Sequence, residues 1–126
     1  MPLSIINSPQ WTKFSVLEVG MDKKGEIATL TKLIRPNLGI ITNISYAHIK
    51  NFKSLDEIAK AKGEIINNIF PSGVMIINKD DKYCNYFISK AKMRNLNIIT
   101  FSKKNKLADV VYLGGRKNRI NFYVNF

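Results

Sequence analysis

The sequence predicts an α/β domain with a mostly parallel sheet flanked by helices and a β-hairpin at its C-terminal end. Short apolar runs alternate with stretches of helical period, which is typical of successive βα units. The connections are short enough for right-handed crossovers between parallel strands. Val110–Leu113 and Ile120–Val124 flank the basic tip Gly114–Arg119 and indicate the hairpin. We therefore divide this single domain into an α/β portion, residues 1–105, and a hairpin, residues 106–126.

The composition limits the kinds of partner and the location that the protein can have. The net charge is +11, but sixteen of the twenty basic residues are lysines spread along the chain, without the interleaved aromatic residues of a single-strand platform. Nucleic acid is therefore an unlikely partner, whereas anionic small substrates such as nucleotides suit the same charge. No apolar run is long enough to span a membrane. Cys84 is the only cysteine, which fits a reducing cytoplasm.

The first predicted strand is Phe14–Val19, in which residues of two faces alternate. Glu18 lies near its carboxyl end, where ligands bind in open α/β sheets, so it is a candidate metal or ligand residue. The alternative is a glutamate that simply faces water. Gly25–Arg35 is predicted as a helix that ends before Pro36. Its inward residues would be Ile27, Leu30, Leu33 and Ile34.

A buried strand is predicted at Leu38–Ile41, followed by Thr42-Asn43 and then by His48, the only histidine. Ser54 is a good N-cap for the next helix, with Glu57 completing a capping box. Lys62 lies within the apolar stripe of that helix. The other members of the stripe are Leu55, Ile58, Ile65, Ile66 and Ile69.

Asn43, His48 and Lys62 could therefore converge on one crevice. Each also has an ordinary interpretation: the lysine could extend along the core into water, the histidine could lie at the surface, and the asparagine could belong to a turn. Their placement on consecutive elements of one α/β unit favours the functional interpretation.

The remaining α/β elements follow the same pattern. A turn at 71–73, a strand at Val74–Asn78, a helix opened by Asp80 and Asp81 and running to about Arg94, and a strand at Asn97–Phe101 are predicted in that order. Acidic residues at a helix start are favoured by the helix dipole, which is sufficient reason for the two aspartates.

Four motifs in this order resemble the central ATPase domain of the Mur ligases, a P-loop NTPase-like fold. They are Glu18-Val-Gly-Met21 with Gly25-Glu26-Ile27, Thr42-Asn43-Ile44 with Ala47-His48 and Phe52, Ala61-Lys62-Gly63-Glu64-Ile65, and Ile77-Asn78-Lys79-Asp80-Asp81. Within the family, the Gly-Glu-Ile segments look most like those of the members that add D-alanyl-D-alanine.

The resemblance implies an ATP-dependent ligase of peptidoglycan precursor synthesis. ATP would phosphorylate the carboxylate of a UDP-N-acetylmuramoyl tripeptide, and the amine of D-alanyl-D-alanine would attack the acyl phosphate. By the same resemblance, Glu18 and His48 are ligands of Mg²⁺, Lys62 is a lysine carbamylated by carbon dioxide, and Asn43 belongs to the nucleotide environment. Burial of Lys62 would favour the neutral amine with which carbon dioxide reacts.

The sequence also departs from the family pattern. No G-x-x-x-x-G-K-[ST] phosphate loop occurs in it, and Tyr46 and Lys50 stand where a small and an acidic residue are expected. We therefore expect a fragment without the N- and C-terminal ligase domains, inactive and marginally stable by itself. Alternatives are another Mur ligase, a folylpolyglutamate synthase-like ligase, or a non-catalytic remnant of the fold.

Overall fold

The computed structural model of the chain describes residues 7–46, 51–116 and 119–125. The helices are α1 (Glu26–Ile34), α2 (Leu55–Lys62) and α3 (Cys84–Met93), with a 3₁₀-helix at Gly63–Asn68 that continues α2. The strands are β1 (Leu38–Ile41), β2 (Val74–Asn78), β3 (Asn97–Ser102), β4 (Val110–Arg116) and β5 (Arg119–Val124). In this part of the chain no helix has the length and apolar character needed to cross a membrane.

The five strands form one sheet in the order β1-β2-β3-β4-β5. The first four are parallel, and β5 is antiparallel to β4. Ile41 lies beside Ile77, and Ile77 lies beside Thr100, so the carboxyl ends of β1, β2 and β3 meet at one edge. The mostly parallel sheet with a C-terminal hairpin is thus confirmed.

The predicted strand at Phe14–Val19 is wrong for this structure. These residues have no regular secondary structure, and the side chains of Phe14 and Val16 are 89% and 98% exposed. Alternation of residue types supplies strand propensity, but a strand also needs a neighbour with which to exchange backbone hydrogen bonds. Strand β1, at the edge of the sheet, pairs only with β2 among the described residues. Its expected complete burial is also wrong, since Leu38 and Ile40 are about half exposed.

Helix α1 confirms the predicted helix but not all of its inward face. Ile27 is buried as expected, whereas Leu33 is 70% exposed and Thr31 is buried instead. The Thr31 hydroxyl donates to the Ile27 carbonyl at 2.6 Å and accepts from the Asn68 side-chain amide at 2.9 Å. Because both hydrogen-bonding needs of the hydroxyl are met, a polar residue can be buried at position 31, which the predicted inward face did not include.

Helix α2 begins where the sequence predicts. The Ser54 hydroxyl accepts from the Glu57 backbone N–H at 3.2 Å, while the Glu57 carboxylate accepts from the N–H of Lys53 rather than from that of Ser54. The stripe of α2 and its 3₁₀ continuation faces the core, with Ile58, Ile66 and Ile69 buried and Leu55 and Ile65 partly buried. These residues join two apolar clusters, one under α3 and β2 and one against α1.

Gly63, where α2 changes into the 3₁₀-helix, lies against α3. A Cβ atom at this position would come within 3.3 Å of the Phe87 ring, which is itself buried. A glycine therefore allows the two helices to approach closely here.

The next residue, Glu64, caps α1 from a distant part of the chain. Its carboxylate accepts hydrogen bonds from the backbone N–H groups of Gly25 at 2.9 Å and Ala28 at 3.1 Å. Gly25, the N-cap, has a φ of 91°, a left-handed conformation that favours glycine. The first N–H groups of a helix have no partner within it, and the helix dipole favours a negative charge there. Glu64 thus fixes α1 against the 3₁₀-helix.

We expect Glu64→Ala to lower the free energy of unfolding by about 1–2 kcal/mol, because it leaves the capped N–H groups of α1 without their carboxylate. Denaturant titration followed by circular dichroism measures this. Asn67→Ala, an exposed position of the same 3₁₀-helix, is the matched control and should change stability by less than about 0.5 kcal/mol. Equal losses in the two variants would show that the cap does not stabilise α1.

Candidate functional site

Two of the predicted site residues meet at the carboxyl edge of the sheet. Lys62 is the last residue of α2, partly buried, and its ammonium donates a 2.9 Å hydrogen bond to the backbone carbonyl of Asn43. Asn43 lies two residues beyond β1, and its side chain is exposed. Lys62 therefore does not extend freely into water. Its nitrogen is directed to one backbone oxygen at the strand end.

The structure does not bring the other predicted residues to this point. His48 lies outside the described residues. Glu18 is exposed on the segment without regular secondary structure that precedes α1. Within the described ranges, no group of three His, Cys, Asp or Glu side chains lies together in a way that could hold a metal ion. The roles of Glu18 and His48 as metal ligands therefore stay predictions.

The segment that follows β1 is held by side chains from three different elements. The Thr42 carbonyl accepts from the Asn78 side-chain amide at 2.8 Å, at the end of β2. The Asn43 carbonyl accepts from Lys62 of α2. The Ile44 N–H donates to the carboxylate of Asp81, before α3, at 2.7 Å. Three consecutive residues thus each have a main-chain group fixed from outside the segment.

Residues 78–81, which we call the edge bracket, bind to both sides of the sheet edge. While Asn78 and Asp81 hold the segment after β1, Asp80 accepts from the Ser102 hydroxyl at 2.6 Å and the Lys103 N–H at 2.7 Å, at the end of β3. The Lys79 ammonium donates to the Leu107 carbonyl at 2.6 Å. The bracket therefore joins the carboxyl ends of three parallel strands.

The sequence predicted only part of the role of the two aspartates. The predicted helix start is wrong: α3 begins at Cys84, with Tyr83 as its N-cap, so neither aspartate lies in its first turn. Asp81 instead holds the turn before the helix, because its carboxylate accepts from the Tyr83 N–H at 2.8 Å and its carbonyl accepts from the Cys84 N–H at 3.0 Å. Asp80 instead binds the loop after β3. The only sequence signal for these longer contacts is the position of both acids directly after a strand.

Hydrogen bonds lower the pKa values of two carboxylates at this edge of the sheet. The Ser102 hydroxyl and then the Lys103 N–H lower the pKa of Asp80 below its ordinary value. The Thr100 hydroxyl and N–H, at 2.6 and 2.7 Å, likewise lower the pKa of Asp109. Both groups are therefore stabilised as anions, and they fix the loop between β3 and β4 at its two ends.

Tyr83, which lies two residues after the edge bracket, has a pKa shifted in the opposite direction. Burial, and then a short hydrogen bond to Asp56, raises the pKa of Tyr83. Asp56 lies in the first turn of α2, so this contact joins α2 to the start of α3. The Lys82 ammonium lies 4.7 Å from the centre of the Tyr83 ring. The phenol thus stays a neutral donor to Asp56 beneath a cation.

Comparison with known proteins identifies a family that matches nearly the whole chain. The family model described as the Mur ligase middle domain matches residues 1–122. The UDP-N-acetylmuramoyl-tripeptide–D-alanyl-D-alanine ligase of Rickettsia prowazekii is 35% identical over 118 residues, which cover 90% of this chain and 26% of the relative. The ligase of the same name from Borreliella burgdorferi is 38% identical over 98 residues, covering 78% of this chain and 21% of the relative.

Comparison with solved structures finds the same family. MurF from Acinetobacter baumannii superposes with a TM-score of 0.81 at 29% identity, covering 89% of this chain and 24% of that protein. MurF from Thermotoga maritima in complex with ADP superposes with a TM-score of 0.78 at 25% identity, covering 96% of this chain and 28% of that protein. The chain thus spans about a quarter of the length of these relatives.

The lowered pKa values of Asp80 and Asp109 predict that the folded state loses stability at low pH. Their folded-state pKa values lie below the unfolded ones, so their stabilisation is complete above about pH 4 and is lost as the pH falls through the lowered values. Denaturant titrations between pH 7 and pH 2 should show stability falling below about pH 4. The double variant Asp80→Asn/Asp109→Asn should lose part of that slope, and an unchanged slope would contradict the assignment.

Proposed function

The chain belongs to the Mur ligase family and matches its middle domain, and on this premise we propose that it is part of an ATP-dependent ligase. The ligase would add D-alanyl-D-alanine to a UDP-N-acetylmuramoyl tripeptide in peptidoglycan precursor synthesis, because the matching relatives carry that name. The observation that carries the proposal is the contact between Lys62 and Asn43. It joins two residues with proposed roles at the strand edge where α/β proteins bind ligands.

Carbamylation of Lys62 is compatible with this contact. A carbamylated lysine keeps one N–H on its side-chain nitrogen, so the hydrogen bond to the Asn43 carbonyl can persist. The added carboxylate would extend beyond that nitrogen and supply hard oxygen atoms of the type that Mg²⁺ prefers. Because Lys62 is partly buried and its nitrogen is bound to the Asn43 carbonyl, the carboxylate would be held at the strand edge rather than free in water.

ATP and Mg²⁺ are the proposed cofactors. The relative from Thermotoga maritima was solved with ADP, and the exposed Asn43 side chain is our candidate for a nucleotide contact. We propose Glu18 and His48 as metal ligands from the family resemblance. These residues would hold the magnesium ion, which would supply positive charge to offset the negative charge that develops on the phosphates. Among the described residues no three His, Cys, Asp or Glu side chains lie together, and His48 lies outside them.

The proposed partners are the UDP-N-acetylmuramoyl tripeptide, D-alanyl-D-alanine and the N- and C-terminal ligase domains. The lengths of the relatives support the last of these, since the chain matches about a quarter of each. We propose a cytoplasmic location, in keeping with the single cysteine. Within the middle domain, residues 1–105 would form the α/β portion and residues 106–126 the hairpin.

The role of Lys62 can be tested in a chimera in which this chain replaces the matching stretch of a full-length relative. We expect Lys62→Ala to lower the ligation rate by at least about tenfold, because it removes the carbamate, and added bicarbonate should not restore the rate. Phosphate release dependent on D-alanyl-D-alanine measures the rate, and ¹³C nuclear magnetic resonance with labelled bicarbonate detects the carbamate.

Lys60→Ala is the matched control, because Lys60 is exposed on the same helix and lies off the apolar stripe. It should leave both the rate and the carbamate signal unchanged. Full activity in Lys62→Ala, with a carbamate signal at another position, would show that the wrong lysine is assigned.

The 126 residues alone should neither hydrolyse ATP nor form a peptide bond. Phosphoryl transfer depends largely on positioning and charge stabilisation, and the phosphate loop that supplies these is absent from the sequence. A coupled ATPase assay with the purified chain and magnesium measures this. Turnover above that of a Glu18→Ala variant would refute the prediction.

A further inference from the structure

The sheet ladder stops directly before the segment Thr42–Ile44, which carries Asn43. The parallel register between β1 and β2 ends at Ile41 beside Ile77. Beyond it, the side-chain amide of Asn78 supplies the donor for the Thr42 carbonyl at 2.8 Å. The oxygen of the same amide accepts from the Asp80 N–H at 2.9 Å, which fixes the orientation of the amide. Asn78 therefore continues the ladder with a side chain in place of the main chain.

Asp81 fixes the same segment two residues further on. One carboxylate oxygen accepts from the Ile44 N–H at 2.7 Å, and the other accepts from the Tyr83 N–H at 2.8 Å. Both oxygens are thus engaged, and the carboxylate is anchored to the turn that opens α3. Hydrogen bonds to a charged acceptor are stronger than those between neutral groups. The position of Ile44 relative to α3 is accordingly well defined.

Asn43 lies between these two anchors, and its carbonyl is the acceptor for Lys62. Rotation of the peptide unit would move this oxygen, but the Thr42 carbonyl on one side and the Ile44 N–H on the other are both held. The oxygen is therefore presented to the Lys62 nitrogen by residues that do not themselves touch it.

We propose that Asp81 and Asn78 are positioning residues for Lys62: they hold Thr42–Ile44 so that the Asn43 carbonyl orients the lysine nitrogen at the strand edge. The proposal rests on the proposed function only for what Lys62 does chemically; the positioning itself belongs to this chain. Asp80 provides the contrast, since its carboxylate is directed to Ser102 and Lys103 on the other side of the edge bracket.

Competitive acetylation of the 126-residue chain tests the positioning without any ligase activity. Trace acetic anhydride labels free amines, and mass spectrometry of the peptides gives the labelling of Lys62 relative to that of the exposed Lys60. In the unsubstituted chain, Lys62 should be labelled about fivefold less than Lys60, because one retained hydrogen bond makes its amine less reactive. In Asp81→Ala the ratio should rise towards one.

Two variants separate positioning from general loosening. Asp81→Asn keeps an oxygen acceptor for the Ile44 N–H and should keep most of the protection. Asp80→Ala also removes hydrogen bonds of the edge bracket, but it should leave the ratio unchanged even though its melting temperature falls. If Asp81→Ala does not fold, Asn78→Asp serves instead, because it keeps the acceptor for the Asp80 N–H and places an oxygen against the Thr42 carbonyl.

The proposal is overturned if Asp81→Ala, or Asn78→Asp in its place, retains the protection of Lys62, or if Asp80→Ala removes it equally. The outcome is separable from the proposed function. A ligase chimera that is indifferent to Lys62→Ala would remove the chemical role of the lysine, while the change in labelling ratio would still establish how its nitrogen is held.

Discussion

The carboxyl ends of parallel strands leave main-chain groups without ladder partners, and in this protein residues 78–81 satisfy many of them. Asn78 and Asp81 bind the segment after β1, while Asp80 and Lys79 bind the segment after β3. An unsatisfied main-chain group at a partly buried edge costs free energy comparable to a lost hydrogen bond. The bracket therefore allows three loops to leave the sheet in defined directions, and the candidate site depends on the first of them.

A second constraint is concentrated in Lys62, Gly63 and Glu64. The lysine binds the segment after β1, the glycine allows contact with Phe87 of α3, and the glutamate caps α1. Consecutive residues of a helix point in different directions, so a stretch of three can contact three separate elements. A rotation of this turn would disturb all three contacts together, which couples the position of Lys62 to the packing of α1 and α3.

The limits of sequence interpretation are clearest at α1 and the segment before it. Periodicity placed Leu33 inward, but Thr31 takes the buried position because Asn68, far along the chain, satisfies its hydroxyl. Alternation predicted a strand at Phe14–Val19, yet no strand pairs with these residues in the described structure. In both cases the local pattern is present in the sequence, and the partner that decides the outcome lies elsewhere in the chain or is missing from the sheet.

The sequence by itself determined the features that depend on neighbouring residues: the Ser54 cap, the apolar stripe that carries Lys62, the strands β1 to β3 and the hairpin. It also identified the family, because four motifs occur in order. Only the tertiary structure decided that Glu64 caps a helix 39 residues away and that Asp81 holds Ile44 across 37 residues. A carboxylate accepts hydrogen bonds from any exposed donor, so its residue type does not specify its partner. The packing of the helices on the sheet selects that partner.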